Sequence, residues 1–207
     1  MTTTHANIES HVHRDDVGSR MGMWLFLFTE LLLFGGMFLV YSVYRFENAN
    51  DFHIAAKELN VILGCFNTAI LLTSSLTMVL AIVAIQRNQK YLSVFFQLIT
   101  ICLGIFFMVN KYFEWTTKIH HGIYPGSEQL LSKSSGEILF FGLYYVMTGL
   151  HGLHVLVGMT LISIMMVFTI KGSINNTNYV RLENIGLYWH LVDIIWIFLF
   201  PLFYLIT

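Results

Sequence analysis

Two carboxylates and three histidines stand inside otherwise apolar stretches of this sequence: Glu30, Asp193, His151, His154 and His190. Taking an ionisable side chain into hydrocarbon is costly, so such residues mark proton transfer, ligand binding or buried polar contacts between helices. Glu30 lies in Trp24-Leu-Phe-Leu-Phe-Thr-Glu30-Leu-Leu-Leu-Phe, and the residues three and four positions away are Leu27, Leu33, Phe26 and Phe34. Its own helix offers no partner. That setting favours a protonated acid, or a partner from another helix, for which His151 and His154 are the candidates. Asp193 follows His190 by three residues, so a contact within one helix would offset part of its burial cost. If both stretches enter a membrane from the same side, the helical rise places Glu30 and Asp193 at similar depths of roughly 12 to 14 Å.

Other chemistry is offered less well. His151 and His154 are followed at a distance by His190, which suggests haem ligation within a bundle. Histidines three apart, however, diverge by about 60° around a helix, so hydrogen bonding between helices competes with that reading. No His-Glu-x-x-His, cysteine cluster or Glu-x-x-His occurs in the apolar stretches, which argues against zinc or a binuclear centre and leaves no metal site expected. Cys65 and Cys102 stand alone in different stretches, and His11, His13, His120 and His121 lie in polar segments. Both groups are expected to play no chemical part. Asn67, Thr68, Thr73, Ser74, Ser75 and Thr77 form a hydroxyl-rich band that reads as contacts between helices or as a polar conduit.

The elements that must position these groups are transmembrane helices. Hydrophobic residues make up 56% of the 207, charged ones 11%, and the mean hydropathy is +0.67, a balance suited to the bilayer. Five stretches reach the length needed to cross it, 21–44, 61–85, 91–110, 138–170 and 185–206. The fold class is therefore all-α, a five-helix membrane domain over 21–207 behind a polar segment, 1–20. The fourth stretch exceeds about 20 residues and must tilt or project. Gln86 to Lys90 allows only a tight hairpin. The segment from Lys111 to Glu137, with Pro125-Gly126 and Ser132-Lys-Ser-Ser-Gly136, is expected as the longest loop. Lysine and arginine are distributed six (Arg14, Arg20, Arg87, Lys90, Lys171, Arg181) to five (Arg45, Lys57, Lys111, Lys118, Lys133) between the two sides, barely favouring an inside amino terminus. No basic stripe suggests nucleic acid, and no leader peptide is expected from the polar start. Trp115, with Glu114 and Tyr112, and Trp189 lie towards the ends of stretches and read as membrane-interface or phospholipid contacts.

Four ordered pieces carry a resemblance: Gly22-Met-Trp-Leu-Phe-Leu-Phe-Thr-Glu30; Tyr112-Phe-Glu114-Trp; Gly149-Leu-His151-Gly-Leu-His154-Val-Leu-Val-Gly158; and Glu183-Asn-Ile-Gly-Leu-Tyr-Trp189-His190-Leu-Val-Asp193-Ile-Ile-Trp196. Together they resemble subunit III of the haem-copper cytochrome oxidases, over nearly everything after about residue 20. The resemblance places the family's intramembrane glutamate at Glu30, its His-Gly-Leu-His helix at His151 and His154, and its terminal motif at Trp189, His190, Asp193 and Trp196. It implies a subunit with no catalytic residue and no haem or copper of its own, those cofactors residing in partner subunits I and II of an oxygen-reducing, proton-pumping complex. It further implies support of proton uptake, bound phospholipid and membership of larger respiratory assemblies; Glu30, His151, His154, His190 and Asp193 are the candidates for that support or for a buried polar network, and Glu114, Trp115, Arg181, Glu183, Trp189 and Trp196 for lipid or interface contacts. Larger relatives have seven helices, so this sequence resembles a short, bacterial form of the inner membrane, with its amino terminus inside and carboxyl terminus outside. A quinol oxidase subunit, an independent proton carrier and a haem anchor stand as alternatives.

Overall fold

The computed structural model describes residues 16–206, whose regular elements are all helices, with no named strand among them. Seven helices follow in order: α1 Asp16–Glu47, α2 Ala49–Ala56, α3 Val61–Gln86, α4 Lys90–His120, α5 Glu128–Leu131, α6 Ser135–Ile170 and α7 Val180–Tyr204. Five of them, all but α2 and α5, are long and apolar enough to cross a membrane. Of the polar segment 1–20, residues 16–20 are the first turns of α1, whereas His11, His13 and Arg14 lie outside the described residues.

Local chemistry sets the helix ends. Asn60 begins α3 by accepting from the Leu63 amide at 3.1 Å, and Ser134 begins α6 by accepting from the Glu137 amide at 3.3 Å, each satisfying a donor that the first helical turn leaves open. The short connection from α3 to α4 turns at Asn88, whose φ of 62° is a left-handed conformation that asparagine tolerates. At 36 residues, α6 is about 54 Å long and projects beyond a hydrocarbon core of about 30 Å.

α3 and α4 form an antiparallel hairpin, α6 packs on α4, and α7 lies centrally against α1, α3 and α6. α1 is peripheral. Its buried residues are Leu27, Phe34 and Tyr41, a seven-residue repeat that makes one narrow seam, while Leu25, Phe28, Leu32 and Leu39 face outward. The bundle interior is built around Trp189 and Trp196, both 0% exposed. Trp189 reaches across to two glycines. A Cβ on Gly158 would fall 2.7 Å from its ring, and one on Gly104 would fall 3.1 Å from it. These residues are therefore corrected from interface contacts to core packing, because α7 runs through the middle of the bundle and its aromatic side chains meet α3, α4 and α6.

The long loop expected from Lys111 to Glu137 is corrected as well: α4 continues through it to His120. Lys111, Glu114 and Lys118 recur on one helical face and are buried there, so their charges are met inside the protein and the helix has no reason to stop. The connection that remains contains only the single turn α5. At its far end Lys133 joins Glu58 and, at 3.1 Å, Glu137. Partial burial opposes its charge, but the hydrogen bonds and charges of the two carboxylates prevail and hold its pKa above the usual lysine range. Since these side chains are partly exposed, Lys133→Ala is expected to lower stability by about 1 kcal/mol or less, measured by thermal unfolding in detergent.

Candidate functional site

α1 carries Glu30 to α6, where Glu30 Oε2 lies 2.9 Å from His154 Nε2, with side-chain exposures of 16% and 14%. Of the two candidate partners, His154 makes this contact. Phe34 packs edge-on against the His154 ring at 5.3 Å, and the Tyr188 hydroxyl donates to the His154 carbonyl at 3.2 Å. The other ring nitrogen, Nδ1, lies 2.8 Å from the Leu150 carbonyl. A carbonyl can only accept, so Nδ1 carries a hydrogen. Nε2 is then either an acceptor facing a protonated Glu30 or a second donor facing its carboxylate. In both states one proton lies between the two residues, and moving it converts a neutral acid and imidazole into a carboxylate–imidazolium ion pair. The arrangement can therefore hold and pass a proton without rearranging its heavy atoms.

One turn earlier on α6, His151 is fully buried, and neither ring nitrogen has a hydrogen-bond partner. Its ring rests against Phe107 at 5.7 Å and Trp196 at 5.2 Å. Beyond it, further from the start of α1, lies a second polar cluster. The Lys111 ammonium donates to Glu114 Oε2 and to the hydroxyls of Tyr144 and Tyr204, each at 3.0 Å. Both hydroxyls in turn donate to Glu114 Oε1, at 2.8 and 2.6 Å. All three lysine donors are used and the carboxylate accepts three bonds, which is the condition under which a buried ion pair is tolerated. Glu114 is thereby corrected from an interface contact to a member of a buried ion pair. Lys111, Tyr144 and Tyr204 were not among the expected site residues; opposite charges three apart just past an apolar run were the available sign that a helix continues.

The expected contact of His190 with Asp193 is corrected too. His190 Nδ1 bonds the Ser75 hydroxyl of α3, and neither Asp193 oxygen completes a hydrogen bond. Positions three apart on a helix diverge by about 60°, and here that turns the imidazole away from the carboxyl. The hydroxyl-rich band of α3 acts as contacts: Ser74 accepts from the Trp189 indole at 3.1 Å and Thr68 from that of Trp196 at 3.1 Å. At the end where α1 and α7 begin, Glu183 pairs with Arg20 at 2.8 Å, and Arg181 is exposed. Trp115 packs edge-on against Tyr145 at 5.4 Å. Among the described residues, no group of three or more His, Cys, Asp or Glu is placed to hold a metal ion.

The family model described as cytochrome c oxidase subunit III matches residues 2–207. A cytochrome c oxidase subunit 3 of Alkalihalophilus pseudofirmus is 32% identical over 98% of this chain and 95% of its own length. A probable quinol oxidase subunit 3 of Staphylococcus haemolyticus is 26% identical over 96% of this chain and 94% of its own. A heme-copper oxidase subunit I+III of Aeropyrum pernix is 30% identical over 90% of this chain, which spans 22% of that longer protein.

Proposed function

Since the chain belongs to the cytochrome c oxidase subunit III family, we propose that it serves its haem-copper oxidase as a non-redox subunit, supporting proton uptake and holding the complex together. The single observation that carries this reading is the Glu30–His154 contact, a proton-holding pair in an apolar setting. Oxygen reduction then belongs to the complex, with haem and copper in partner subunits. Subunit I is the natural partner, a reading supported by the Aeropyrum pernix relative in which subunits I and III are named as one protein. Subunit II, membrane lipid and further respiratory complexes complete the surroundings. Cytochrome c and quinol oxidases both appear among the relatives' names, which fits a donor set by the other subunits. We place the chain in a bacterial plasma membrane with its amino terminus inside.

Glu30→Gln keeps the size and a hydrogen bond but removes the exchangeable acid proton. In the purified oxidase it is expected to leave the haem spectrum unchanged while lowering proton uptake, or the number of turnovers before inactivation, several-fold. Unaltered proton uptake and turnover life would refute the role of the pair. An independent proton carrier would instead conduct protons when the purified chain is reconstituted alone, and none of that conduction is expected.

A further inference from the structure

Asp193 is 2% exposed, and its two carboxyl oxygens are sealed inside the chain without a completed hydrogen bond. The side chains that bear on its charge are the Ser75 and Ser74 hydroxyls rather than a cation. An unpaired carboxylate in such a place is far costlier than a neutral acid, so Asp193 holds a proton. Ser74 offers that proton no way out. Its hydroxyl donates to the Leu71 carbonyl at 2.7 Å and accepts from the Trp189 indole at 3.1 Å, and an indole nitrogen only donates.

Ser75 is placed differently. Its hydroxyl bonds His190 Nδ1, an atom that can accept or donate, and Ser75, His190 and Asp193 line one groove of about 450 Å3 between α3 and α7. Ser75 and His190 are partly exposed, whereas the carboxyl behind them is not. The terminal torsion of an aspartate is broad, so the carboxyl can turn an oxygen to the Ser75 hydroxyl within its rotamer. His190 also borders a second groove, of about 300 Å3, shared with Trp24 of α1. Trp24 is eight residues into α1 and His190 ten into α7, roughly 12 and 15 Å along the helix axes. A water entering the groove where those two helices begin therefore meets the imidazole. Leu72, Leu76 and Val79 of α3 and Phe28 and Leu31 of α1 border His190 in the two grooves and carry no charge that would compete for it.

We infer that Asp193, Ser75 and His190 form a proton relay in which the acid is a sealed store, Ser75 its bridge and His190 its contact with water. In the filled state the carboxyl donates to Ser75 Oγ, Ser75 donates to His190 Nδ1, and Nε2 carries the imidazole hydrogen. Discharge moves the carboxyl proton to Ser75 Oγ and the serine proton to Nδ1, while Nε2 gives its proton to a water in the groove. One hydronium forms, and a carboxylate and a neutral imidazole remain with Ser75 now donating to the carboxylate. Refilling is the reverse. The unit is separate from Glu30–His154, which joins α1 to α6, whereas this one joins α7 to α3. The inference rests on the function proposed above for the use made of the proton, and on this chain's own side chains for the relay.

Infrared spectroscopy of the purified oxidase tests it. Subtracting the spectrum of Asp193→Asn is expected to isolate one protonated-carboxyl band at neutral pH. On transfer to heavy water that band should shift while the backbone amides of the helix interiors stay protonated, a comparison made in the unaltered protein and so independent of how any variant folds. Ser75→Ala and His190→Phe keep the acid and cut the path, and each is expected to slow the shift at least about tenfold, leaving only local opening of the helix packing. Ser75→Thr keeps a hydroxyl and should restore most of the rate. A carboxylate at Asp193, a band that exchanges no faster than the core amides, or exchange unchanged in Ser75→Ala would each overturn the relay. None of these outcomes touches the Glu30–His154 pair, whose failure is read separately as unaltered proton uptake in Glu30→Gln.

Discussion

Lys111→Met is expected to destabilise the protein by about 3 to 5 kcal/mol, because it strips the counter-charge from Glu114 while that carboxylate stays buried. Lys111 and Glu114 have side-chain exposures of 8% and 5%, so water cannot easily replace the lost partner. The two tyrosine hydroxyls remain as donors to Glu114 but cannot neutralise it. The double change Lys111→Met with Glu114→Gln should recover most of the loss, since a buried pair replaced as a whole costs far less than one broken in half. Thermal unfolding of the four proteins in one detergent measures the coupling. Additive effects would mean that the cluster is not a unit, and a loss no larger than that of Lys133→Ala would mean that it is not buried in solution.

The second large effect is expected at Trp189. Trp189→Ala should cost about 3 to 5 kcal/mol, the range for removing a large aromatic from a core, because its ring packs against α4 and α6 at Gly104 and Gly158 while its indole bonds Ser74 of α3. Filling the space from the other side gives a graded check. Gly158→Ala drives a methyl into the rigid ring and is expected to cost about 1 to 3 kcal/mol. Gly104→Ala should cost less, because the atom nearest its added Cβ is the sulfur of Met159 at 2.8 Å, and a thioether can swing away. Equal penalties at the two glycines would show that the indole does not define the packing there.

The helices were readable because the requirement that creates them is local: an apolar run long enough to cross hydrocarbon declares itself residue by residue. The five runs correspond to five long helices, and Gln86 to Lys90 contains the turn. What failed were inferences about where a side chain looks. Lys111 and Glu114 seemed to end a helix because their partners, Tyr144 and Tyr204, lie 33 and 93 residues from Lys111. Only packing brings them together. Trp189 and Trp196 carry the composition of interface residues, but the central position of α7 takes them into the core. Glu30 was the opposite case. Its lack of a neighbour within its own helix was visible in the sequence and required a partner from elsewhere, and the His-Gly-Leu-His pattern supplied it.

The narrow seam by which α1 joins the bundle has a consequence for how the protein is made. α1 packs against α6 and α7, so α1, which is synthesised before them, must wait for both. His154 is 124 residues downstream of Glu30, a delay of roughly 6 to 25 s at ordinary translation speeds. During that interval the acid sits in the membrane without its imidazole. Biogenesis therefore has to shelter a half-built polar contact, and the joining of α1 to α6 is the step at which the nascent chain becomes a closed bundle.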